Sequence, residues 1–327
     1  MLRNTRRRRA TNVILILSAC LLLLLTRDYY QNASTRGRAN FPPIKAHPSS
    51  QGESRANELE LVVASTARED VSWLEKYVPR WPKNIYVADN RSSPLTVPEN
   101  KGHEAMVYLT YIIDNYDSLP DNVLFIHASR FQWHNDDPDY DGLPALQRFQ
   151  IPYLQAEGYV NLRCVWTIGC PAEIRPLEDD GVEQNVVTAK HVYKEGFQEL
   201  FPEEIVPEVV AVSCCSQFGV TRETIRRRPR SDYTRFRRWL LDTSLDDNLS
   251  GRIFEFSWHI IFGKKAYHCP SAASCYCNVY GLCNLTCSEK TCDGRYALPP
   301  FSNLPSGWPK KGWRQEDRHF SGPLDEI

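Results

Sequence analysis

An acidic residue lies in the apolar segment GRIFEFSWHIIFG, where Glu255 and His259 are four residues apart. Residues at this spacing share one face of a helix, and we predict a buried helix over 251–262. A carboxyl group removed from water holds its proton more tightly, which suits a general base acting on a hydroxyl group. We therefore predict that Glu255 and His259 are catalytic. The structural alternative is an ion pair of Glu255 with protonated His259 or with an arginine, which satisfies burial without catalysis.

A basic segment precedes this helix, with eight arginines between Arg222 and Arg238 against two acidic residues. Arginine side chains bind phosphate oxygens through two parallel hydrogen bonds. We expect part of the segment to hold the diphosphate of a nucleotide, and the predicted contacts are Arg222, Arg226, Arg227 and Arg228. The alternative is a solvated helix face without a ligand.

The densest acidic group is HNDDPDYD, which follows the third predicted strand. Ligands of open parallel sheets bind beyond the carboxyl ends of the strands, and carboxylates there can coordinate a divalent cation such as Mn²⁺ or Mg²⁺. The predicted metal ligands are Asp136, Asp137, Asp139 and, at the strand end, His127. The alternatives are a solvated turn for the aspartates and a structural role for the histidine.

Several other classes of function are disfavoured by the sequence. The 39 Lys and Arg residues balance 40 Asp and Glu residues, so no overall positive charge points to nucleic acid. The chain carries no G-x-S-x-G elbow, P-loop, G-x-G-x-x-G loop or H-E-x-x-H motif, which weakens hydrolase and dehydrogenase interpretations. A metal-dependent hydrolase that uses His127, His134 and the aspartates is the last of the hypotheses that we keep.

The elements that must position these residues alternate between strands and helices. Short apolar runs predict strands at 59–64, 84–88, 123–128, from 159 onward and at 208–213. Helical spacing predicts helices at 104–116, 144–157, 187–200, 221–242 and 251–262. This alternation favours an α/β domain over 59–268 with a doubly wound, mostly parallel sheet.

The N-terminal region has the pattern of a membrane signal. Residues 1–9 carry five arginines, and the apolar segment 10–26 spans roughly 25 Å as a helix. No small-residue cleavage site follows the segment, so we predict an uncleaved signal anchor with a cytosolic tail and a lumenal chain, a type II topology. Residues 27–58 form a stem of linker composition. The alternative is a cleaved signal and a secreted product.

Cysteine usage agrees with a lumenal address. Of the 11 cysteines, Cys20 lies in the predicted anchor, and the other ten allow up to five disulfides of open connectivity. The region 269–327 is predicted to be a Cys-rich, Pro- and Gly-rich appendage. A zinc site of Cys275, Cys277, Cys283 and Cys287 is the less favoured alternative, because the spacing lacks paired C-x2-C motifs. The predicted glycosylation sites are Asn32, Asn90, Asn248 and Asn284.

Long segments of the chain resemble a fungal family of uncharacterised proteins that share one domain of unknown function. The resemblance rests on NKGHEAMVYLTYIIDNYDSLPDNVLFIHASRFQWHNDD, YVNLRCVWTIGCP, CCSQFGVTRETIRRRPRSDYTRFRRWL and GRIFEFSWHIIFG followed by CPSAASCYCNVYGLC. It covers most of 59–283 and implies no particular reaction.

A second resemblance is functional. SQFGVTRETI, the basic helix and FEFSW are similar to inverting type II Golgi glycosyltransferases of the branching and xylosyl-transferring kind, which usually have a GT-A fold. The resemblance implies that Glu255 serves as the base and that arginines among 222–238 hold the nucleotide diphosphate. The third strand ends in HAS, where many such enzymes place a D-x-D metal site, so metal dependence rests on the aspartates of 136–141.

Two functional hypotheses follow. The first is a Golgi or ER membrane protein, anchored by one N-terminal helix, that transfers sugar from a nucleotide sugar to a glycan or glycoprotein acceptor. The second is a non-enzymatic lumenal protein that binds glycans or acts as a scaffold.

Overall fold

A five-stranded sheet forms the centre of the fold. The structure is a computed structural model that describes residues 59–137, 140–178, 187–283 and 317. The strand order is β2-β1-β3-β6-β4. These strands are β1 (Leu59–Ser65), β2 (Lys83–Val87), β3 (Asn122–His127), β4 (Tyr159–Asn161) and β6 (Phe218–Thr221). A separate pair of short parallel strands consists of β5 (Ala211–Val212) and β7 (Tyr267–His268).

The sheet is mixed. Strand β1 pairs in parallel with β2 and β3, whereas β6 runs antiparallel to both β3 and β4. The predicted α/β class and central sheet are therefore present, but half of these four pairings are antiparallel. An apolar run in a sequence indicates a buried strand and carries no information about its direction.

Helices cover both faces of the sheet. Successive strand residues point to opposite faces, so each buried strand contributes apolar side chains to both. In β3, Val123 and Phe125 join one apolar cluster, and Leu124 and Ile126 join the other. The helices are α1 (Ser72–Tyr77), α2 (Glu104–Asp114), α3 (Leu143–Arg148), α4 (Ile151–Glu157), α5 (Ala189–Leu200), α6 (Arg222–Ile225), α7 (Arg230–Asp242), α8 (Asp247–Glu255), α9 (Trp258–Ile261) and α10 (Ala272–Tyr280).

Three predicted helices are each divided in two. Proline cannot continue a helix from within it but can begin one, and Pro152 and Pro229 stand at the starts of α4 and α7. The predicted helix 251–262 breaks after Glu255 for a different reason. There the Tyr193 hydroxyl donates to the backbone carbonyl of Phe256 at 3.0 Å and contacts the Ser257 hydroxyl at 3.0 Å. These polar contacts stabilise the break between α8 and α9.

Disulfides join α10 to the rest of the domain. Cys164 pairs with Cys275 and Cys170 with Cys269, while Cys277 pairs with Cys283. The fourth disulfide of the described residues joins the neighbours Cys214 and Cys215.

Helix α10 also contributes to the apolar cluster under the sheet, through Ala272, Tyr276 and Val279 among others. Residues 272–280 therefore pack against the domain that the sequence predicts over 59–268. The pairings of Cys275, Cys277 and Cys283 are also incompatible with the zinc alternative, whose fourth ligand, Cys287, lies outside the described residues.

The predicted tail (1–9), anchor (10–26) and stem (27–58) lie outside the described residues. Across the ranges that the structure describes, none of the helices combines the length and the apolar character that a membrane span requires.

Candidate functional site

A cleft of about 450 Å³ opens beyond the carboxyl ends of the three parallel strands. Ser65 and Thr66 line it at the end of β1, Ala88 just after β2, and His127 at the end of β3. Carboxyl ends of parallel strands form this kind of crevice because the connections to the following helices diverge there. The described part of the chain therefore has a concave site where an open α/β sheet generally binds its ligand.

The opposite wall of the cleft comes from α2 and α8. His103 and Glu104 contribute from the start of α2, and Arg252 and Glu255 contribute from α8. The two helices approach closely at Gly251, where an added Cβ would lie 2.7 Å from Cδ2 of His103. The absence of a side chain at this position lets α8 carry Arg252 and Glu255 to the cleft.

Glu255 is a largely buried carboxylate of the cleft, with 9% of its side chain exposed. Its Oε1 atom accepts a hydrogen bond from the backbone N–H of Cys215 at 2.6 Å, and Oε2 lies 3.4 Å from Nη1 of Arg252. Burial raises the pKa of Glu255, and the charge of Glu104 raises it further, while Arg252 and the Cys215 N–H lower it. A carboxylate in this environment accepts a proton more readily than an exposed one.

Two histidines and a second carboxylate extend the polar surface. Nε2 of His127 lies 3.8 Å from Oε2 of Glu104, and the rings of His127 and His134 meet edge to face at 4.8 Å. Burial lowers the pKa of His134 well below its ordinary value, so its imidazole is neutral at neutral pH. Across the cleft mouth, Nε2 of His103 lies 3.3 Å from Oδ1 of Asn248. These groups offer both donors and acceptors to a polar ligand.

His259 does not line the cleft. It lies on α9, beyond the helix break, so the predicted shared face with Glu255 is wrong. Its Nε2–H donates to the backbone carbonyl of Ala266 at 2.9 Å, and burial lowers the pKa of His259 to about 3. It is a neutral structural histidine, and the partner of Glu255 is Arg252.

The predicted diphosphate-binding arginines also lie outside the cleft lining. Arg222 pairs with Asp121, and Arg226 donates to the backbone carbonyls of Tyr116 and Asp117. Arg228 donates to the carbonyl of Ile261 at 2.7 Å and pairs with Glu204 at 3.3 Å. Arg227 is exposed. These contacts join the segment to neighbouring parts of the fold, and none of the four arginines lines the cleft.

The described members of the predicted metal set, Asp136, Asp137 and His127, do not bring their ligand atoms together in one group. Oδ2 of Asp136 accepts hydrogen bonds from the backbone N–H groups of Cys164 and Val165, and Oδ1 accepts one from the Tyr276 hydroxyl. Burial raises the pKa of Asp136, which anchors α10 rather than facing the cleft. Oδ1 of Asp137 lies near the backbone N–H of Asp141, at 3.4 Å. Asp139 lies outside the described residues.

One other group brings side chains of metal-ligating types close together. Within the described ranges, only Cys214, Cys215 and Glu255 form a group of three His, Cys, Asp or Glu residues whose ligand atoms lie within 4.8 Å of one another. The two sulfur atoms are bonded to each other, so they are not thiolate ligands in this structure. The described aspartates form no such group, and because Asp139 lies outside the described residues the cation predicted there stays a prediction.

The structure thus gathers Glu255 and His127 in the cleft and leaves His259, Asp136 and the basic segment elsewhere. Sequence reasoning missed Glu104 and Arg252. Their signals are modest: Glu104 opens a helix after Gly102, and Arg252 precedes Glu255 by three residues on the same helix. Only the approach of α2 to α8 makes them neighbours.

Comparisons with known proteins give one match. No curated protein matches the chain significantly, and no solved structure does. A family model described as "Protein of unknown function (DUF3431)" matches residues 61–278, which include every residue named above as lining the cleft. The predicted resemblance to a family that shares a domain of unknown function is confirmed, and the chain belongs to the DUF3431 family.

Proposed function

We propose that the cleft binds a nucleotide sugar and transfers the sugar to a hydroxyl group of a glycan or glycoprotein. One observation carries the proposal: Glu255 is a buried carboxylate with a raised pKa at the edge of a cleft beyond the parallel strand ends. Nucleotides bind in such crevices in open α/β folds. A carboxylate with a raised pKa is suited to remove a proton from an attacking hydroxyl.

In the proposed reaction, Glu255 accepts the proton of the acceptor hydroxyl while the hydroxyl oxygen attacks the anomeric carbon. The bond between that carbon and the diphosphate oxygen breaks, and the electron pair leaves with the nucleoside diphosphate. Arg252, at the cleft edge with 38% of its side chain exposed, is the arginine of the described lining that can stabilise the developing negative charge. No step is assigned to a divalent cation, because Asp136 is hydrogen-bonded elsewhere.

The polar lining supports a sugar as the ligand. His103, Glu104 and His127 offer carboxylate and imidazole groups, which are suitable partners for the hydroxyl groups of a sugar. A GT-A-like doubly wound fold, a type II anchor and residence in the Golgi or ER belong to the same proposal. They rest on the resemblance to inverting glycosyltransferases and on the N-terminal sequence pattern.

The test uses the purified full chain, with thermal unfolding measured in the presence of each common nucleoside diphosphate and turnover measured with a panel of nucleotide sugars. We expect one nucleotide to raise the unfolding temperature and one donor to be consumed. Glu255→Gln should lower turnover by about 10²–10⁴-fold and leave nucleotide binding intact, because only proton removal is lost. Glu195→Gln, on the exposed face of α5, is the matched control.

The second candidate, glycan binding without catalysis, gives a different result in the same assay. Stabilisation by an oligosaccharide but by no nucleotide, together with no donor turnover with or without manganese, would replace the transferase proposal. The same polar lining would then serve a binding protein.

A further inference from the structure

Adjacent cysteines joined to each other lie beside the proposed base. Cys214 and Cys215 form a disulfide in the turn between β5 and β6, and Cys215 lines the cleft. The proposed transfer reaction does not use the sulfur atoms. Both residues are almost completely buried, so the linkage is part of the interior of the site.

The backbone of this turn has an uncommon conformation. Cys215 has φ of 92° and Ser216 has φ of 48°, and both values lie in the left-handed region that non-glycine residues seldom occupy. Such residues persist where the surrounding structure holds them. A covalent bond between neighbouring side chains is a direct way to restrict the backbone of the residues that carry it.

The turn contacts both walls of the cleft. The Cys215 N–H donates to Oε1 of Glu255 at 2.6 Å. Two residues further on, Oε1 of Gln217 accepts a hydrogen bond from the backbone N–H of His127 at 3.1 Å. The buried Arg163 supports the turn from behind, with Nη1 at 3.4 Å from Sγ of Cys215. The turn therefore joins Glu255 on α8 to the end of β3.

We propose that the Cys214–Cys215 disulfide positions Glu255, by fixing the turn so that the Cys215 N–H holds one carboxylate oxygen and leaves the other directed toward Arg252. The catalytic consequence rests on the proposed function, while the positioning itself does not. Cys214 and Cys215 are positioning residues in this proposal, because they act on the reaction through Glu255.

Loss of this hydrogen bond has a predictable effect on proton binding. The other charged groups that influence Glu255 are Arg252 on α8, Glu104 on α2, and Glu173 and Arg163 in the segment after β4. These groups remain when the turn relaxes. The Cys215 N–H stabilises the ionised carboxylate, so its departure moves the pKa of Glu255 further upward.

The experiment compares the full chain with a Cys214→Ala/Cys215→Ala variant. The titration of Glu255 is followed by NMR of ¹³C-carboxyl-labelled glutamate, with the resonance identified by its absence in Glu255→Gln. We expect the titration midpoint to rise by about one pH unit, as the loss of one hydrogen bond to a charged group implies. The acid limb of the pH profile of turnover should move by the same amount.

Cys277→Ala/Cys283→Ala removes a disulfide outside the cleft lining and serves as the control, for which we expect no shift. Cys214→Ala/Cys215→Gly also removes the disulfide and tolerates positive φ, and we expect its midpoint to rise as well, because glycine does not restrict the backbone of the turn. It also replaces the double-alanine variant if that variant does not fold. A folded variant without the disulfide and with the wild-type midpoint would overturn the proposal. A shifted midpoint without turnover of any nucleotide sugar would support positioning and contradict the proposed transferase function.

Discussion

Glu255 and His259 show how burial acts differently on two titratable side chains that are four positions apart. Burial disfavours the charged form of each, so it raises the pKa of the carboxyl group and lowers the pKa of the imidazole. Glu255 also has Arg252 and the Cys215 N–H beside it, and these partly stabilise its charged form. His259 has the Ala266 carbonyl on one ring nitrogen and no partner on Nδ1 among the described residues. Glu255 is therefore suited to proton transfer, whereas His259 is suited to a buried position as a neutral imidazole.

The low pKa of His259 predicts how the free energy of unfolding depends on pH. The pKa of His259 is about 3 in the folded protein, below the ordinary value near 6.5. Between these two pH values the unfolded chain binds a proton on this side chain and the folded chain does not. Its contribution to the free energy of unfolding is complete above pH 6.5 and falls by up to about 1.4 kcal/mol per pH unit as the pH drops toward 3.

His259→Gln should make this pH dependence weaker between pH 6.5 and 4, as measured by denaturant unfolding, even if it lowers stability overall. The acid limb of any turnover profile should stay in place, because His259 does not line the cleft. His191→Gln, in the first turn of α5, is the control for changing a histidine elsewhere. An unchanged slope in the His259 variant would contradict a neutral buried imidazole.

At the scale of elements, Gly251 decides whether α8 can reach the cleft. An added Cβ would lie 2.7 Å from Cδ2 of His103 and 3.2 Å from the carbonyl oxygen of Gly102. Gly251→Ala should therefore push α8 outward and cost about 1–3 kcal/mol of unfolding free energy through overpacking, despite the better helix propensity of alanine. Denaturant unfolding measures the loss, and turnover should fall as well because Glu255 is on the same helix.

Glu195→Ala, on the exposed face of α5, supplies the comparison for a helix substitution without a steric clash. Full stability in Gly251→Ala would mean that the loop at Gly102 and His103 moves aside easily. The positioning of Arg252 and Glu255 by this close approach would then be wrong.

Elements were predictable from the sequence where a single local pattern decides them. The strands β1, β2 and β3 lie within a residue of the apolar runs that predicted them, and α2 begins at the predicted Glu104. Strand β6 was not predicted, because the run FGVT is short and the helical spacing that follows it is the stronger local signal. Its antiparallel pairing with β3 depends on how the chain returns from the Cys214–Cys215 turn, which no local pattern encodes.

The candidate site was predictable only in part, for a related reason. Glu255 was found because an acidic residue within an apolar segment is unusual, and His127 because it ends a predicted strand. Glu104 and Arg252 matter only through the contact between α2 and α8, which are separated by more than a hundred residues in the sequence. The basic segment was the strongest local charge signal, yet Arg222, Arg226 and Arg228 are bound to carboxylates and carbonyls of neighbouring loops.

At the scale of the whole molecule, a disulfide between distant residues joins α10 to the segment after β4. Cys164–Cys275 closes a loop with a sequence separation of 111, and Cys277–Cys283 closes one of 6. If disulfides act mainly by restricting the unfolded chain, their contributions differ with loop length, at about 5 kcal/mol for the first and about 2 kcal/mol for the second.

Cys164→Ala/Cys275→Ala should therefore lower the free energy of unfolding by more than Cys277→Ala/Cys283→Ala, and equilibrium unfolding in denaturant measures both. Hydrogen exchange should locate the first effect in α10 and in the segment of Asp136, because the Tyr276 hydroxyl donates to Asp136 and the backbone of Cys164 does as well. Equal losses in the two variants would show that local packing, rather than loop closure, determines what each disulfide contributes. None of these four cysteines lines the cleft, so we expect nucleotide binding to persist in both variants if they remain folded.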